Sequence, residues 1–172
     1  IEEVDADWVM QLWPGDELTP QALFNLADFA NLNTEWLALY GDEALVKLNE
    51  EELDASDSRL GKSEAEFPVF KPDFNLDLLR STDYINRALA VRKDAWQALG
   101  GFNPVSYRQN EEFIFRLAER MTLPAIGHLP YILVNRSPYT KELIESKTYE
   151  QLGAVIRAEH LERCGYTQAQ VL

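Results

Sequence analysis

Residues 71–102 read KPDFNLDLLRSTDYINRALAVRKDAWQALGGF, and their changes of pattern set the fold class. Asn75 stands where a side-chain oxygen can cap a short helix over Leu76 to Arg80. Ala88 to Val91 is a short apolar run of strand type, and Asp94 to Leu99 returns to helix. Gly100-Gly101 then ends that helix, since glycine accepts the left-handed conformation found past helix C-termini.

The same alternation extends in both directions. Upstream, Asp7 to Leu12 (DWVMQL) reads as a buried strand, and Pro14-Gly15-Asp16-Glu17 as a turn. Thr19-Pro20 is an N-cap and first-turn pair ahead of Leu23, Leu26, Ala27 and Ala30 at helical spacing. Trp36 to Tyr40 is a second strand that ends at Gly41-Asp42-Glu43. Residues 46–66 are rich in Glu, Asp, Ser and Lys and read as an acidic, mobile insert. Phe67 to Phe74, with two prolines, is extended. Downstream, Glu111 to Met121 is an amphipathic helix with Phe113, Leu117 and Ala118 on one face. Pro124 to Val134 is strand, and Lys141 to Cys164 is mostly helix, closed by Gly165. Together these predict one α/β domain over residues 1–172, a mixed, mainly parallel sheet flanked by helices. Ligands of such sheets gather at the carboxyl ends of strands. The loops after Leu12 and Tyr40 both fall there and both carry acids.

The net charge of −13 argues against nucleic acid or anionic lipid as a bulk partner. No apolar run is long enough to span a bilayer, and the acidic start at Ile1 lacks the basic segment of a signal peptide. The missing initiator Met suggests an excised or processed chain. Cys164 is the sole cysteine, so no internal disulfide forms and a reducing cytoplasm is expected. Cys164 itself reads as a half-buried small hydrophobe.

The blocks LWPGDELTPQAL, YGDEALV, PVFKPDFNLDLLRSTDYINRALAVRKDAWQALGGF, NEEFIFRLAER and HLPYILVNRS, in that order, resemble the family 2 glycosyltransferases of GT-A fold. The resemblance covers nearly the whole chain apart from the acidic insert. It implies the second, acceptor and catalytic half of that fold, with the nucleotide-reading half lying before Ile1. It also implies transfer of a sugar from a nucleotide sugar to a carbohydrate acceptor hydroxyl, assisted by Mn²⁺ or Mg²⁺ held by carboxylates.

Mapped onto the chain, the resemblance leaves several roles open. Trp13 and Gly15 stand where the family's two metal-binding Asp residues are expected, so Asp16 is the remaining metal candidate; it equally suits a turn that favours the following helix. Asp42 and Glu43 match a Tyr-x-Asp-Glu block and either orient ligand or form a solvated strand end. Asn110 falls in the register of the catalytic base and cannot serve as one, which leaves Glu111 or Glu112, or else two charges placed to suit a helix N-terminus. Arg116 matches the family's Arg in that helix. Gly100 and Gly101 resemble the acceptor-side loop as well as a helix cap. Lys71 and Asp73 are candidates for donor sugar or phosphate. Trp13, Phe70, Phe74 and Tyr84 are core residues or sugar-stacking platforms. Asn135 replaces an expected metal-binding His, while His128 and His160 read as structural. Because the departures fall on chemistry, a binding or scaffolding domain that kept the fold and lost catalysis is the alternative.

Overall fold

The computed structural model describes residues 5–46, 65–104, 106, 108–120, 125–137 and 147–168. Residues 47–64 of the acidic insert and residues 141–146 of the expected last helix lie outside these.

Among the described residues, six strands form one sheet: β1 (Trp8–Met10), β2 (Glu17–Leu18), β3 (Ala38–Val46), β4 (Ala65–Val69), β5 (Leu89–Arg92) and β6 (Ile126–Arg136). Their order is β1-β5-β3-β6-β2. The first part of β3 pairs with β5 and its second part with β4, both antiparallel. Only β3 and β6 run parallel among the described pairings. The sheet is therefore mixed, as expected, but its balance is antiparallel: the last residues of β3 and the returning segment after the insert zip together, a pairing that no local pattern announces.

Among the described residues, five helices flank the sheet: α1 (Ala22–Leu32), α2 (Leu76–Ser81), α3 (Lys93–Ala98), α4 (Gln109–Arg120) and α5 (Lys147–Arg163). Asn75 caps α2 as its position predicts, its side chain accepting from Leu78 N at 2.9 Å. Thr19 does not cap α1. Its hydroxyl donates to Ile132 O of β6 at 2.8 Å, and the helix begins at Ala22. α1 is also rotated from the expected face: Ala22 is buried and Leu26, Phe29 and Ala30 pack on the sheet, whereas Leu23 points outward.

The larger core lies between the sheet and helices α2 to α5, around Tyr40, Leu79, Ile85, Leu89, Phe113, Phe115 and Leu117. Each large apolar side chain fully buried there contributes roughly 1.5–3 kcal/mol. A smaller core under α1 joins Leu39, Leu129, Leu133 and Val134. Between β5 and α2 the chain passes through two non-glycine residues of positive φ, Asn86 (42°) and Ala88 (60°). That corner places residues 83–87 beside the first turn of α4.

Asp42 and Glu43 do not end β3, contrary to the reading of Gly41-Asp42-Glu43 as a stop. The strand continues to Val46, and both acids are buried within it. Cys164 is exposed rather than half-buried.

Candidate active site

An open pocket of about 320 Å³ lies where the segment after β1, the Asn86 corner, the start of α4 and Tyr149 of α5 meet. Gln11 to Pro14 form one wall, and Asp83, Asn86, Arg108, Asn110 and Glu111 the other. A second depression of about 390 Å³ adjoins it and shares Asp83, Asn86, Arg108 and Tyr149.

Charges in this wall alternate. Arg108 Nε donates to Glu111 Oε2 at 2.5 Å, and its Nη2 faces Asp83 Oδ2 at 3.4 Å. Its guanidinium also lies over the Tyr149 ring and donates to the Tyr149 carbonyl at 3.3 Å. Arg157 Nε donates to Glu111 Oε1 at 2.9 Å. Burial opposes the charge on Arg108, but Asp83 and Glu111 outweigh it and hold the group above its ordinary value. Glu111 responds the other way: burial, and after it the Asp83 charge, push its carboxyl up to about 7. A carboxyl poised there can take or give a proton near neutrality. Asn110 Nδ2 donates to the Asn86 carbonyl at 2.7 Å, while its buried Oδ1 has no hydrogen-bond partner.

Glu112 stands apart from its neighbour. It lines neither cavity and is held bidentately by Arg116, at 2.6 and 2.7 Å. Arg116 in turn donates to the carbonyls of Leu99 and Gly101, at 2.6 and 2.8 Å. Glu112, Arg116 and the Gly100-Gly101 corner thus form a clamp that fixes the end of α3 to α4. Gly101 has φ +78°, and a Cβ there would stand 2.8 Å from the Trp96 ring.

The acids of β3 are tied to a second cluster. Lys71 Nζ donates to the carbonyls of Ile85 (2.7 Å) and Arg87 (2.9 Å) and meets Glu43 at 3.3 Å. Glu43 also accepts from Arg136 at 2.7 Å. Asp42 accepts from the Lys71 amide at 2.9 Å and meets His128 Nε2 at 3.0 Å. His128 stacks on Tyr40, and its other nitrogen lies 3.3 Å from Asp73, whose side chain is otherwise exposed. Burial lowers the Lys71 pKa even though Glu43 opposes the shift. Lys71 is therefore an internal tie between β3 and the Asn86 corner, not a solvent-facing cation. Trp13 lines the pocket and lies over the Arg87 guanidinium at 4.0 Å, Phe74 and Tyr84 pack on the core, and Phe70 is exposed.

Asp16 was the metal candidate. One of its oxygens is paired with Arg87 and the other accepts from the Ser137 amide at 2.9 Å. A carboxylate already matched to a guanidinium, with Trp13 and Gly15 at the neighbouring positions, does not fit a hard divalent cation. Elsewhere, the ligand atoms of Glu119, His160 and Cys164 lie within 4.8 Å of one another. That N/S/O set suits a softer ion than Mg²⁺. Its members are also spoken for: Glu119 is gripped by Arg163 and hydrogen-bonded to His160 Nδ1, and Arg80 donates to His160 Nε2.

No family model matches the chain. The O-antigen biosynthesis protein RfbC of Myxococcus xanthus is 34% identical over 124 residues, 72% of this chain. Among solved structures, S. aureus TarS residues 1–349 matches 97% of this chain and 49% of its own, with a TM-score of 0.54 and 12% identity. The chain has the fold of a GT-A-type glycosyltransferase. This GT-A segment spans 8% of the length of RfbC and about half of the TarS chain. Among its described residues no helix is long and apolar enough to cross a membrane.

The fold brings Glu111 and Asn110 into one cavity with Trp13 and places Asp16, Glu112 and the Gly100-Gly101 corner elsewhere. Asp83, Arg108, Tyr149 and Arg157 were not legible as site residues. The signal available for Arg108 was its i,i+3 spacing from Glu111, which reads equally well as a surface pair.

Proposed function

We propose that this chain is the acceptor-side, catalytic half of a glycosyltransferase, which moves a sugar from a nucleotide sugar onto a hydroxyl of a carbohydrate acceptor in polysaccharide or glycoconjugate assembly. The observation that carries the reading is the cavity in which two carboxylates, Asp83 and Glu111, share walls with Trp13, Asn86, Asn110 and Tyr149. Aromatic faces and a few fixed acceptors are what a sugar ring with several hydroxyls requires. The reaction is an inverting displacement: the acceptor oxygen attacks the anomeric carbon, a carboxylate takes its proton, and the nucleoside diphosphate leaves with the bonding electrons. A reducing, cytoplasmic setting fits the single cysteine.

Asn110 at the register of the base favours the alternative, a non-catalytic domain. The second carboxylate in the same cavity, Asp83, weighs against it.

A thermal-shift panel of nucleotide sugars tests the proposal, run on this chain and on the full-length protein, with Mn²⁺ and with EDTA. A ligand at about 100 times its Kd adds roughly 2.7 kcal/mol, a readily measured shift. Stabilisation by one nucleotide family is expected, and the pairing of Asp16 with Arg87 predicts that EDTA leaves it in place. If no nucleotide sugar shifts either protein, glycosyl transfer is the wrong reading.

A further inference from the structure

We propose that Asp83 is the general base of this site, a carboxylate standing in for the one that Asn110 cannot supply. The inference rests on the glycosyl-transfer reading above. Four observations carry it.

Asp83 is the carboxylate common to both cavities, so a ligand in either one, or bridging them, meets it. Glu111 lines only the first of the two, its side chain is fully buried, and each of its oxygens already accepts from a guanidinium Nε, of Arg108 and of Arg157. Both of its oxygens are thus engaged, one by Arg108 and one by Arg157. The Asp83 side chain is 6% exposed, enough for contact from the cavity while shielded from bulk water.

The oxygens of Asp83 are also unequal. Oδ1 accepts from the Asn86 amide at 3.0 Å, which fixes the carboxylate plane. Among the described residues, Oδ2 has only the longer 3.4 Å approach of Arg108 Nη2. That leaves a lone pair for an acceptor hydroxyl.

Asn86 links the two positions. Its amide orients Asp83, its carbonyl accepts from Asn110 Nδ2, and it adopts φ 42°, uncommon for a residue other than glycine. Strain of this kind persists where surrounding bonds over-determine it. Finally, Asn110 Oδ1 is buried without a partner in a residue that lines the cavity. A buried acceptor left open is costly unless something donates to it. A second hydroxyl of the acceptor sugar, donating to Asn110 Oδ1, would hold the attacking hydroxyl near Asp83. In the reaction the attacking hydroxyl gives its proton to Asp83 Oδ2, its oxygen bonds the anomeric carbon, and the bond to the nucleoside diphosphate breaks with its electrons on the diphosphate.

The charged and titratable groups facing Asp83 are Arg108 just before α4, Glu111 from α4, Tyr149, Glu150 and Arg157 from α5, and Lys71 from the segment after β4. Glu111 lines the first cavity as well, so each carboxylate is varied separately. Turnover of UDP-, GDP- and dTDP-sugars is measured with the full-length protein, its Asp83→Asn variant and its Glu111→Gln variant, as kcat, KM and pH profile. Asp83→Asn is expected to lower kcat by about 10³-fold, the scale of general-base catalysis, with donor KM little changed and the acid limb of the profile lost. Glu111→Gln is expected to lose about tenfold and keep an acid limb. To guard against a folding defect, Asp83→Ala is assayed with added formate, which should restore turnover by replacing the missing carboxylate. An active wild type with an Asp83→Asn variant within tenfold of it, or no recovery with formate, overturns the role of Asp83 alone. A wild type inert toward every donor overturns glycosyl transfer and this assignment together.

Discussion

Gly153 of α5 and Arg108 of the pocket wall compete for one space: a Cβ on Gly153 would stand 2.7 Å from the Arg108 guanidinium carbon. Glycine inside a helix costs about 1 kcal/mol relative to alanine. Here it admits the cation that Asp83, Glu111 and the Tyr149 carbonyl hold in place. Gly153→Ala is therefore expected to leave the melting temperature nearly unchanged, propensity gain offsetting displacement, while weakening ligand-induced stabilisation at least tenfold in apparent Kd. Ligand titrations followed by thermal shift check this; unaltered affinity would mean the Arg108 position is immaterial to the pocket.

The raised carboxyl of Glu111 gives stability a defined pH dependence. Its folded value, about 7, exceeds the ordinary 4.5, so between these values the native state binds the proton more tightly than the unfolded chain. Stability attributable to Glu111 is then full below about pH 4.5 and falls as pH rises to about 7, by on the order of 3 kcal/mol. His160 has the opposite sign, since burial lowers its value despite Glu119, so stability from that group rises with pH instead. Urea denaturation from pH 4.5 to 8 should show a Glu111 component that disappears in Glu111→Gln. Parallel curves for the two proteins would contradict the assignment.

Gly100 and Gly101 share a left-handed backbone, with φ +80° and +78°, but differ in surroundings. Nothing lies within 4 Å of a Cβ on Gly100, whereas one on Gly101 meets the Trp96 ring. Gly100→Ala should cost about 1 kcal/mol, the backbone penalty alone. Gly101→Ala should cost about 2–4 kcal/mol, because overpacking adds to that penalty. Chemical denaturation of the two variants resolves the difference, and equal losses would refute the packing argument.

Asp16 and Arg87 form a pair whose side chains are each only 1% exposed. Arg87 has two further buried nitrogens, Nε and Nη2, without hydrogen-bond partners. Asp16→Asn keeps an acceptor for the Ser137 amide but strands the guanidinium charge, at a cost of about 3–5 kcal/mol. Changing both residues, Asp16→Asn with Arg87→Met, should recover part of that loss. If Asp16→Asn is as stable as the parent, the ion pair is not the role of Asp16, and metal binding by that residue is open again.

Local chemistry wrote several elements plainly. Asn75 caps α2 through its own side chain, Gly100 and Gly101 end α3 in the left-handed conformation, and the apolar face of α4 puts Phe113 and Leu117 in the core. These depend on neighbours within a few positions, which a sequence displays directly. The Gly41-Asp42-Glu43 stop failed because it weighed β3 by its own polarity. Lys71, His128 and Arg136, all remote in sequence, give those acids hydrogen-bond partners and let the strand continue.

The sequence by itself determined the α/β class, the Asn75 cap of α2, the glycine end of α3 and the presence of Glu111 beside an Asn at the base register. Only the tertiary structure decided which carboxylate faces a cavity, because that depends on which partners reach each acid first. Arg116 claims Glu112, Arg87 claims Asp16, and Arg108 with Arg157 claims Glu111, while Asp83 is brought to the shared wall of two cavities by a corner at Asn86. A buried charge is governed by contacts across the fold, and long-range contacts leave no local pattern in the chain.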